Sequence, residues 1–450
     1  MKTRWQPDEP IPLPEYPRPQ LRRKRWLNLN GYWDYAVRPR GETAPLAFDG
    51  KIRVPFPIES ELSGVQRALQ PDERLWYRRT FSLPAAWEGQ CILLHFGAVD
   101  FECQLWVNQR LISSHRGGFL PFSFDISEAL GLGENEILLA VSDPSDAGLQ
   151  ERGKQVLQPK DIWYTAVSGI WQTVWLEPVP TLSISALTSI PAVDFGAVEV
   201  QVRLSTWDIS GDSRCEIDLF DNGEAVASAV WRDNEACVLV IPQPKLWSPD
   251  SPHLYDLRAR LYQGDALVDE VNSYTALRKF SLLRDADGHL RFALNDQPLF
   301  LYGPLDQGYF PDGLYTPPSE AAMLFDIEFT KAIGCNMIRK HVKVEPARWY
   351  YHCDRMGMIV WQDMPNGGLP DRMWQAVLAQ TIGYRRIESR WQRRFGRHQA
   401  ENRAFYQEQL RSMIDHLNPF VCIAVWVPFN ESWGQFEVKA VAKLIHRLDK

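Results

Sequence analysis

The hydrophobic pattern of this chain changes once, near residue 281, and this change constrains the fold more than any other feature. Before it, short apolar or alternating runs recur between turns rich in glycine, proline and asparagine. After it, short apolar runs alternate with stretches of helical period. Antiparallel sandwiches produce the first pattern, whereas a parallel sheet needs a crossover, usually a helix, between successive strands. We therefore predict β structure over the first 280 residues and α/β structure over the rest.

The β portion divides near residue 180. Candidate strands of its first part lie at residues 31–37, 75–83, 91–96, 103–107, 136–141 and 171–176. The spacing restarts after Pro178-Val179-Pro180, and a hairpin turn is predicted at Asp221-Asn222-Gly223. About 100 residues with roughly seven strands is the size of an immunoglobulin-like domain. We expect a sandwich at 1–180 that begins with an extended proline-rich arm, and an immunoglobulin-like sandwich at 181–280.

The α/β portion contains four predicted β/α units. We predict strands at 300–303, 336–339, 358–361 and 421–427. Helices are predicted from Ser319 to Ile333, between Pro346 and Gly357, and within 371–416.

Polar residues follow three of these strands at their carboxyl ends. They are Arg339 and His341 after the second, Asp363 and Asn366 after the third, and Asn430 and Glu431 after the fourth. In a (β/α)₈ barrel, the carboxyl ends of the strands form the active-site face. Polar residues that merely end a strand are common, so the pattern favours a site without establishing one.

The strongest local motif is the stretch from Ala424 to Gly434, in which a buried strand leads into an Asn430-Glu431 pair. Desolvation beside Trp426 and Trp433 would raise the pKa of the Glu431 carboxyl, as a general acid near neutral pH requires. The adjacent asparagine would then hold a sugar hydroxyl. Alternatively, the pair only begins a helix, with the glutamate favourable to the helix dipole. The residues alone leave both interpretations open.

Composition excludes several classes of protein. The net charge of -7 comes from well-mixed acids and bases, so no basic stripe indicates nucleic acid. No stretch reaches the roughly 20 apolar residues that span a bilayer, and the N-terminus has no apolar signal region. The 7 cysteines are scattered and lack a C-x-x-C, which favours reduced thiols in a cytoplasmic protein over a disulfide framework or zinc site. The 18 tryptophans favour a carbohydrate protein only weakly.

Several motifs together resemble glycoside hydrolase family 2, which contains β-galactosidases, β-glucuronidases and β-mannosidases. They are Leu29–Trp33, Leu75–Phe81, Ser168–Gln172, Gly334–Arg339, Cys353–Val360 and Trp426–Glu431. The resemblance implies a multidomain β plus α/β fold. Residues 1–180 would be a jelly-roll sugar-binding domain, 181–280 an immunoglobulin-like β-sandwich, and 281–450 the first half of a (β/α)₈ TIM barrel.

The resemblance also implies a retaining glycosidase that cleaves terminal β-linked sugars, with a β-galactoside as the best guess. Glu431 would be the catalytic acid/base. The expected substrate-binding residues are Asn430, Arg339, His341, Asp363, Asn366, Trp426 and Trp433. Matching His341 to the family's histidine requires a shift of one residue. Asp363 lacks the histidine neighbour that a magnesium site would need, so we predict neither a metal nor a cofactor.

In this family the nucleophilic glutamate follows a later strand than the one before Glu431, and this sequence ends at Lys450. A retaining enzyme needs both carboxylates. We therefore expect the 450-residue chain by itself to have little or no glycosidase activity. The alternative is a non-catalytic carbohydrate-binding protein. A carbohydrate ligand is expected in either case, nucleic acid and membrane are not, and a homo-oligomer is possible.

Overall fold

A computed structural model describes residues 2–206, 213–232, 235–368, 397, 399–430 and 434–449. The described chain forms two antiparallel sandwiches, then a small antiparallel sheet, then a parallel sheet with helices between its strands. Within these residues, no helix is both long enough and apolar enough to cross a membrane.

The first sandwich packs two sheets around one core. Its strands are β1 Leu27–Asn28, β2 Gly31–Pro39, β3 Gly50–Val54, β4 Glu73–Ser82, β5 Cys91–Phe96, β6 Val99–Asp100, β7 Glu102–Val107, β8 Arg110–Arg116, β9 Phe122–Asp125, β10 Glu134–Ser142, β11 Gln155–Val156, β12 Tyr164–Thr165, β13 Gly169–Ile170 and β14 Val174–Val179. One main sheet has the order β3-β2-β4-β10-β7-β8 and the other β1-β14-β5-β9, while β6 pairs with β13 and β11 with β12 in two small sheets. Trp33 on β2 and Leu94 on β5 are fully buried between them, as the alternation of apolar residues predicts.

The second sandwich has seven strands in the described part of the chain. They are β15 Ile184–Ala192, β16 Ala197–Leu204, β17 Ser213–Asp221, β18 Glu224–Trp231, β19 Cys237–Val240, β20 Tyr255–Gln263 and β21 Ala266–Thr275. Its sheets have the orders β15-β16-β19 and β18-β17-β20-β21. The predicted hairpin joins β17 to β18, and Asn222 and Gly223 have φ angles of 50° and 88°. Such positive angles in both turn residues suit the twist of a hairpin.

The parallel sheet follows a three-stranded antiparallel sheet that the pattern did not predict. The antiparallel strands are β22 Phe280–Arg284, β23 Leu290–Leu294 and β24 Gln297–Pro298. The later elements are β25 Leu305–Asp306, α1 Glu320–Ala332, β26 Met337–Lys340, α2 Ala347–Met356, β27 Ile359–Asp363, α3 Ala400–Leu417, β28 Ile423–Val427 and α4 Val438–Leu448. The four parallel strands lie in sequence order. This order places consecutive carboxyl ends side by side.

Local sequence signals set the ends of the first two helices. The Ser319 hydroxyl accepts a hydrogen bond from the Ala322 amide at the start of α1. Pro346 precedes α2, and Gly357 ends it with a φ of 70°. Both predicted helices are confirmed. Of the predicted 371–416 helical region, the structure describes α3; residues 371–396 lie outside the described part.

The first parallel strand was predicted too early, at residues 300–303. The side chain of Asn336 bonds the Tyr302 amide and the Phe300 carbonyl, at 2.9 Å and 2.8 Å. Pro304 then interrupts the hydrogen-bond ladder between the strands because it has no amide hydrogen to donate. Regular pairing with β26 begins only after it, between Leu305 and Arg339.

The first sandwich and the parallel sheet share one apolar core. Trp171 from the sandwich is fully buried, and its ring lies 5.2 Å from that of Tyr315, which precedes α1. Phe119 lies 6.0 Å from the same tyrosine. The Thr316 hydroxyl donates to the Trp171 carbonyl at 2.6 Å. The sandwich is therefore packed directly against the elements that hold the strand ends.

The N-terminal arm was predicted to be extended, but it contains several bends and a short 3-10 helix at Pro19–Leu21. It contacts both sandwiches, α1 and α2. Trp5 packs on Phe325 of α1, with 5.0 Å between ring centroids. The Tyr16 carbonyl accepts a hydrogen bond from Arg348 of α2 at 3.0 Å. Arg23 pairs with Asp269 of the second sandwich at 2.7 Å.

Glu177 on β14 anchors this arm to the first sandwich. Its carboxylate accepts from the Tyr16 hydroxyl at 2.5 Å and pairs with Arg18 at 2.9 Å and Arg23 at 3.4 Å. Glu177 is fully buried. Burial is the largest single influence and would raise its pKa, but Arg18, His95, Tyr16 and Arg23 together outweigh it and the pKa falls to about 2.

We predict that Glu177→Gln lowers the free energy of unfolding by about 3–5 kcal/mol near pH 7, because Arg18 then lacks its carboxylate partner and Arg23 keeps only Asp269. A carboxyl with a depressed pKa contributes its stability above the unfolded value of about 4.3, and this contribution is lost as the pH falls through about 2. The gap in melting temperature between parent and variant should therefore narrow below about pH 4. Exposed Glu128→Gln is the control, and a gap that stays constant from neutral to acid pH would contradict the prediction.

Candidate functional site

The carboxyl ends of β26, β27 and β28 bring together side chains that the sequence places far apart. Arg339 on β26 is paired in register with Trp361 on β27, and Asp363 lies two residues further along β27. Successive side chains of a strand point to opposite faces. Arg339 and Asp363 therefore share one face of the sheet.

Asp363 is the centre of this cluster. It is fully buried, and its two oxygens accept hydrogen bonds from Nε and Nη2 of Arg339, both at 2.9 Å. Nδ1 of His341 lies 2.8 Å from the Asp363 Oδ2 atom. Because an ionised carboxylate can only accept, Nδ1 carries the hydrogen in this contact. One carboxylate thus fixes the orientation of both a guanidinium and an imidazole.

Asn430 and Asn366 extend the cluster toward β28. Nη2 of Arg339 donates to the Asn430 side-chain oxygen at 3.0 Å, which determines the direction in which the carboxamide faces. Asn366 is buried, and its side-chain nitrogen donates to the Asn430 carbonyl at 3.4 Å. The structure therefore brings Arg339, His341, Asp363, Asn366 and Asn430 together.

Trp426 is not brought to this cluster. It is paired in register with Gln362, whose side chain contacts Tyr350 of α2 on the helix-covered face of the sheet. The Trp426 indole donates to Asp449, at the end of α4, at 2.6 Å. It therefore supports α4 from the face opposite to Asp363. Glu431 and Trp433 lie outside the described residues.

A loop of the first sandwich contributes to the rim of the site, which sequence reasoning missed. The Arg152 and Gly153 amides donate to the Asn366 carbonyl at 2.8 Å and 2.9 Å. A Cβ on Gly367 would lie 2.1 Å from the Gln150 carbonyl oxygen, so the two chains approach too closely for a side chain. The glycines at 148 and 153, which bracket a polar stretch, were the available sequence signal.

A second charged group lies on the other face of β26. Lys340 is buried and pairs with Asp306 at 2.6 Å and Glu345 at 2.7 Å. Burial alone would lower the Lys340 pKa, but these ion pairs outweigh it and raise the pKa. Lys343 also contacts Glu345, at 2.9 Å, and its burial lowers the pKa to about 8. These groups hold the end of β25 beside β26.

We predict that Asp363→Asn destabilises the protein by about 3–5 kcal/mol, because the buried carboxylate is the counterion of Arg339 and the acceptor for His341. A double-mutant cycle with Arg339→Gln, followed by thermal and urea unfolding, measures the coupling. Asp415→Asn on exposed α3 surface is the matched control. A cost below about 1 kcal/mol, in the range of exposed ion pairs, would contradict a buried charge pair here.

Comparison with known proteins identifies the family. The description "Glycosyl hydrolases family 2, sugar binding domain" matches residues 48–180, and "Glycosyl hydrolases family 2" matches residues 181–278. Together these two matches cover about half of the chain.

Curated relatives and solved structures agree with this. A beta-galactosidase of Thermoanaerobacter pseudethanolicus is 23% identical over 455 residues, covering 94% of this chain and 54% of the relative. A beta-galactosidase of Vibrio cholerae is 27% identical over 375 residues, covering 74% of this chain and 35% of the relative. The chain thus spans between about a third and about half of the length of these curated relatives.

Among solved structures, the beta-D-glucuronidase of Dictyoglomus thermophilum aligns with a TM-score of 0.75 and 21% identity, covering 96% of this chain and 72% of that one. The apo β-glucuronidase of Ruminococcus gnavus aligns with a TM-score of 0.72 and 19% identity, covering 95% and 70%. These likenesses concern the fold. With the two family matches, they lead to one conclusion: the chain belongs to glycosyl hydrolase family 2.

Proposed function

We propose that this chain provides the sugar-recognising and acid/base-bearing part of a retaining glycoside hydrolase that cleaves terminal β-linked sugars. In this proposal residues 1–180 are a jelly-roll sugar-binding domain, 181–280 an immunoglobulin-like sandwich, and 281–450 part of a TIM barrel. Membership of family 2 supports the reaction class. In the described residues, the strands before residue 180, those from 184 to 275 and those from 280 onward each pair only within their own range, which supports the division.

The observation that carries the proposal is the convergence of Arg339, His341, Asp363 and Asn430 at adjacent strand ends. Asn430 is held by Arg339, and Glu431 follows it directly in the sequence. In the proposed site Asn430 binds the hydroxyl next to the reacting carbon. The Nη1 group of Arg339 makes no hydrogen bond within the described part of the chain, so it is available for the carboxylate that faces the acid.

Glu431 performs both proton transfers in this scheme. As an acid it donates a proton to the glycosidic oxygen while a second carboxylate, about 5–5.5 Å away in retaining enzymes, attacks the sugar carbon. As a base it then takes a proton from the water that releases the sugar. The proposal assigns the acid/base and the residues that surround the sugar, and no metal takes part in it.

A β-galactoside is the substrate that we favour. The two curated relatives described above are named beta-galactosidases. Curated relatives named putative beta-glucuronidases are 24% and 25% identical, so a β-glucuronide is the second candidate substrate.

We predict that Glu431→Ala slows hydrolysis of alkyl or phenyl β-galactosides by about 10²–10⁴-fold, because a basic leaving oxygen needs a proton. Hydrolysis of a dinitrophenyl β-galactoside should change far less, because its leaving group departs as an anion. The measurement is kcat/KM for each substrate on purified protein in which residues 1–450 are joined to a segment that supplies the second carboxylate, with β-glucuronides assayed in parallel.

Glu408→Ala on the exposed surface of α3 is the matched control and should leave both rates unchanged. Equal losses on both leaving groups in Glu431→Ala would contradict the acid role. Saturable binding of a thio-β-galactoside without turnover of any substrate would instead favour a non-catalytic carbohydrate-binding protein.

A further inference from the structure

The described residues on both sides of positions 431–433 are held by α3 and by Arg397, three residues before the start of that helix. On one side, the Tyr406 hydroxyl donates a hydrogen bond to the Pro428 carbonyl. On the other side, Nε of Arg397 donates to the Gly434 carbonyl at 3.2 Å. Two adjacent side chains therefore bind the backbone before and after the segment that contains the proposed acid.

Aromatic packing joins these two contacts into one unit. The Tyr406 ring lies parallel to Phe429 at 5.3 Å and edge-on to Phe436 at 5.2 Å. The Arg397 guanidinium lies 4.4 Å from the centre of the same tyrosine ring, a distance at which cation and ring attract each other. Phe436 is fully buried. A shift of any one of these groups would therefore displace the others.

The unit is tied to the first sandwich through a buried ion pair. Nη1 of Arg397 lies 2.8 Å from Oε1 of Glu151, which belongs to the loop that contacts Asn366. The two residues are only 1% and 3% exposed. Burial raises the pKa of Glu151, and the facing Arg397 opposes that rise. Asn402 of α3 accepts from the same Nη1 atom at 3.0 Å.

Such a pair is a poor source of net stability, because desolvating both charges costs nearly as much as their attraction returns. It does impose a definite geometry, because neither charge tolerates the loss of its partner. A catalytic group displaced by about 1 Å can lose about 10²-fold in rate. A fixed geometry beside an acid is therefore useful to an enzyme even when it adds little to stability.

We infer that Glu151, Arg397 and Tyr406 form a loop clamp, a set of positioning residues that holds the backbone on either side of Glu431. The inference rests on the proposed function, since the loop clamp is proposed to fix the position of Glu431 as the catalytic acid. It also makes the first sandwich, through Glu151, a contributor to acid catalysis as well as to sugar binding.

The test uses leaving groups, because misfolding and mispositioning affect them differently. Loss of folded protein lowers kcat for every substrate equally, whereas a misplaced acid slows only substrates that need a proton. We expect Arg397→Gln to lower kcat for a phenyl β-galactoside by about 10-fold or more relative to a dinitrophenyl β-galactoside. Glu151→Gln and the milder Tyr406→Phe should shift the same ratio in the same direction. Arg411→Gln on exposed α3 surface is the control and should leave it unchanged.

Hydrogen exchange provides a readout that does not depend on activity. In Arg397→Gln, amides of residues 424–430 and 434–438 should exchange faster, while those of β26 should keep their protection. An unchanged leaving-group ratio in a protein with Glu431-dependent hydrolysis would overturn the inference, and so would unchanged exchange. Faster exchange in a protein without Glu431-dependent hydrolysis would support the clamp while rejecting the proposed function.

Discussion

The structure depends on the pairing of charges that are buried where the first sandwich meets the parallel sheet. Asp363, Arg397 and Lys343 are each almost inaccessible to solvent, and a lone charge in such a place costs several kcal/mol. Each therefore needs a partner at a defined distance. The partners are Arg339 and His341 for Asp363, Glu151 for Arg397, and Glu345 for Lys343. The packing of the apolar core brings these groups together, and their pairing then restricts how that core can be arranged.

These pairs connect parts of the fold that could otherwise be regarded as separate modules. Trp171 packs against Tyr315 across the boundary, and Glu151 reaches from the sandwich to Arg397 beside the strand ends. The arm adds a third connection through Glu177. A sandwich attached in this way cannot move independently of the sheet. The first sandwich therefore also shapes the candidate site.

Local rules predicted the individual elements well. Ser319 begins α1, Gly357 ends α2, and Asn222-Gly223 turns the hairpin, because each effect depends on residues within a few positions. The same rules predicted that Arg339 and Asp363 end neighbouring strands. They failed at residues 300–303. There the side chain of Asn336, which is distant in sequence, bonds the Tyr302 amide and the Phe300 carbonyl, which a strand would have paired with backbone groups. They also could not decide which face of β28 carries Trp426, because the two faces of a short apolar strand are equivalent until other elements cover them.

The sequence by itself determined the order of the two sandwiches and of the later β/α units, the family resemblance, and the polar residues at the strand ends. It did so because hydrophobic period, turn residues and capping act over short distances. The tertiary structure decided that Asp363 binds both Arg339 and His341, that the Trp426 indole bonds Asp449 at the end of α4, and that Glu151 forms an ion pair with Arg397. These outcomes depend on contacts between residues that are distant along the chain. Such contacts form only when folding brings charges into a common low-dielectric core, where each must find the partner that compensates its lost hydration.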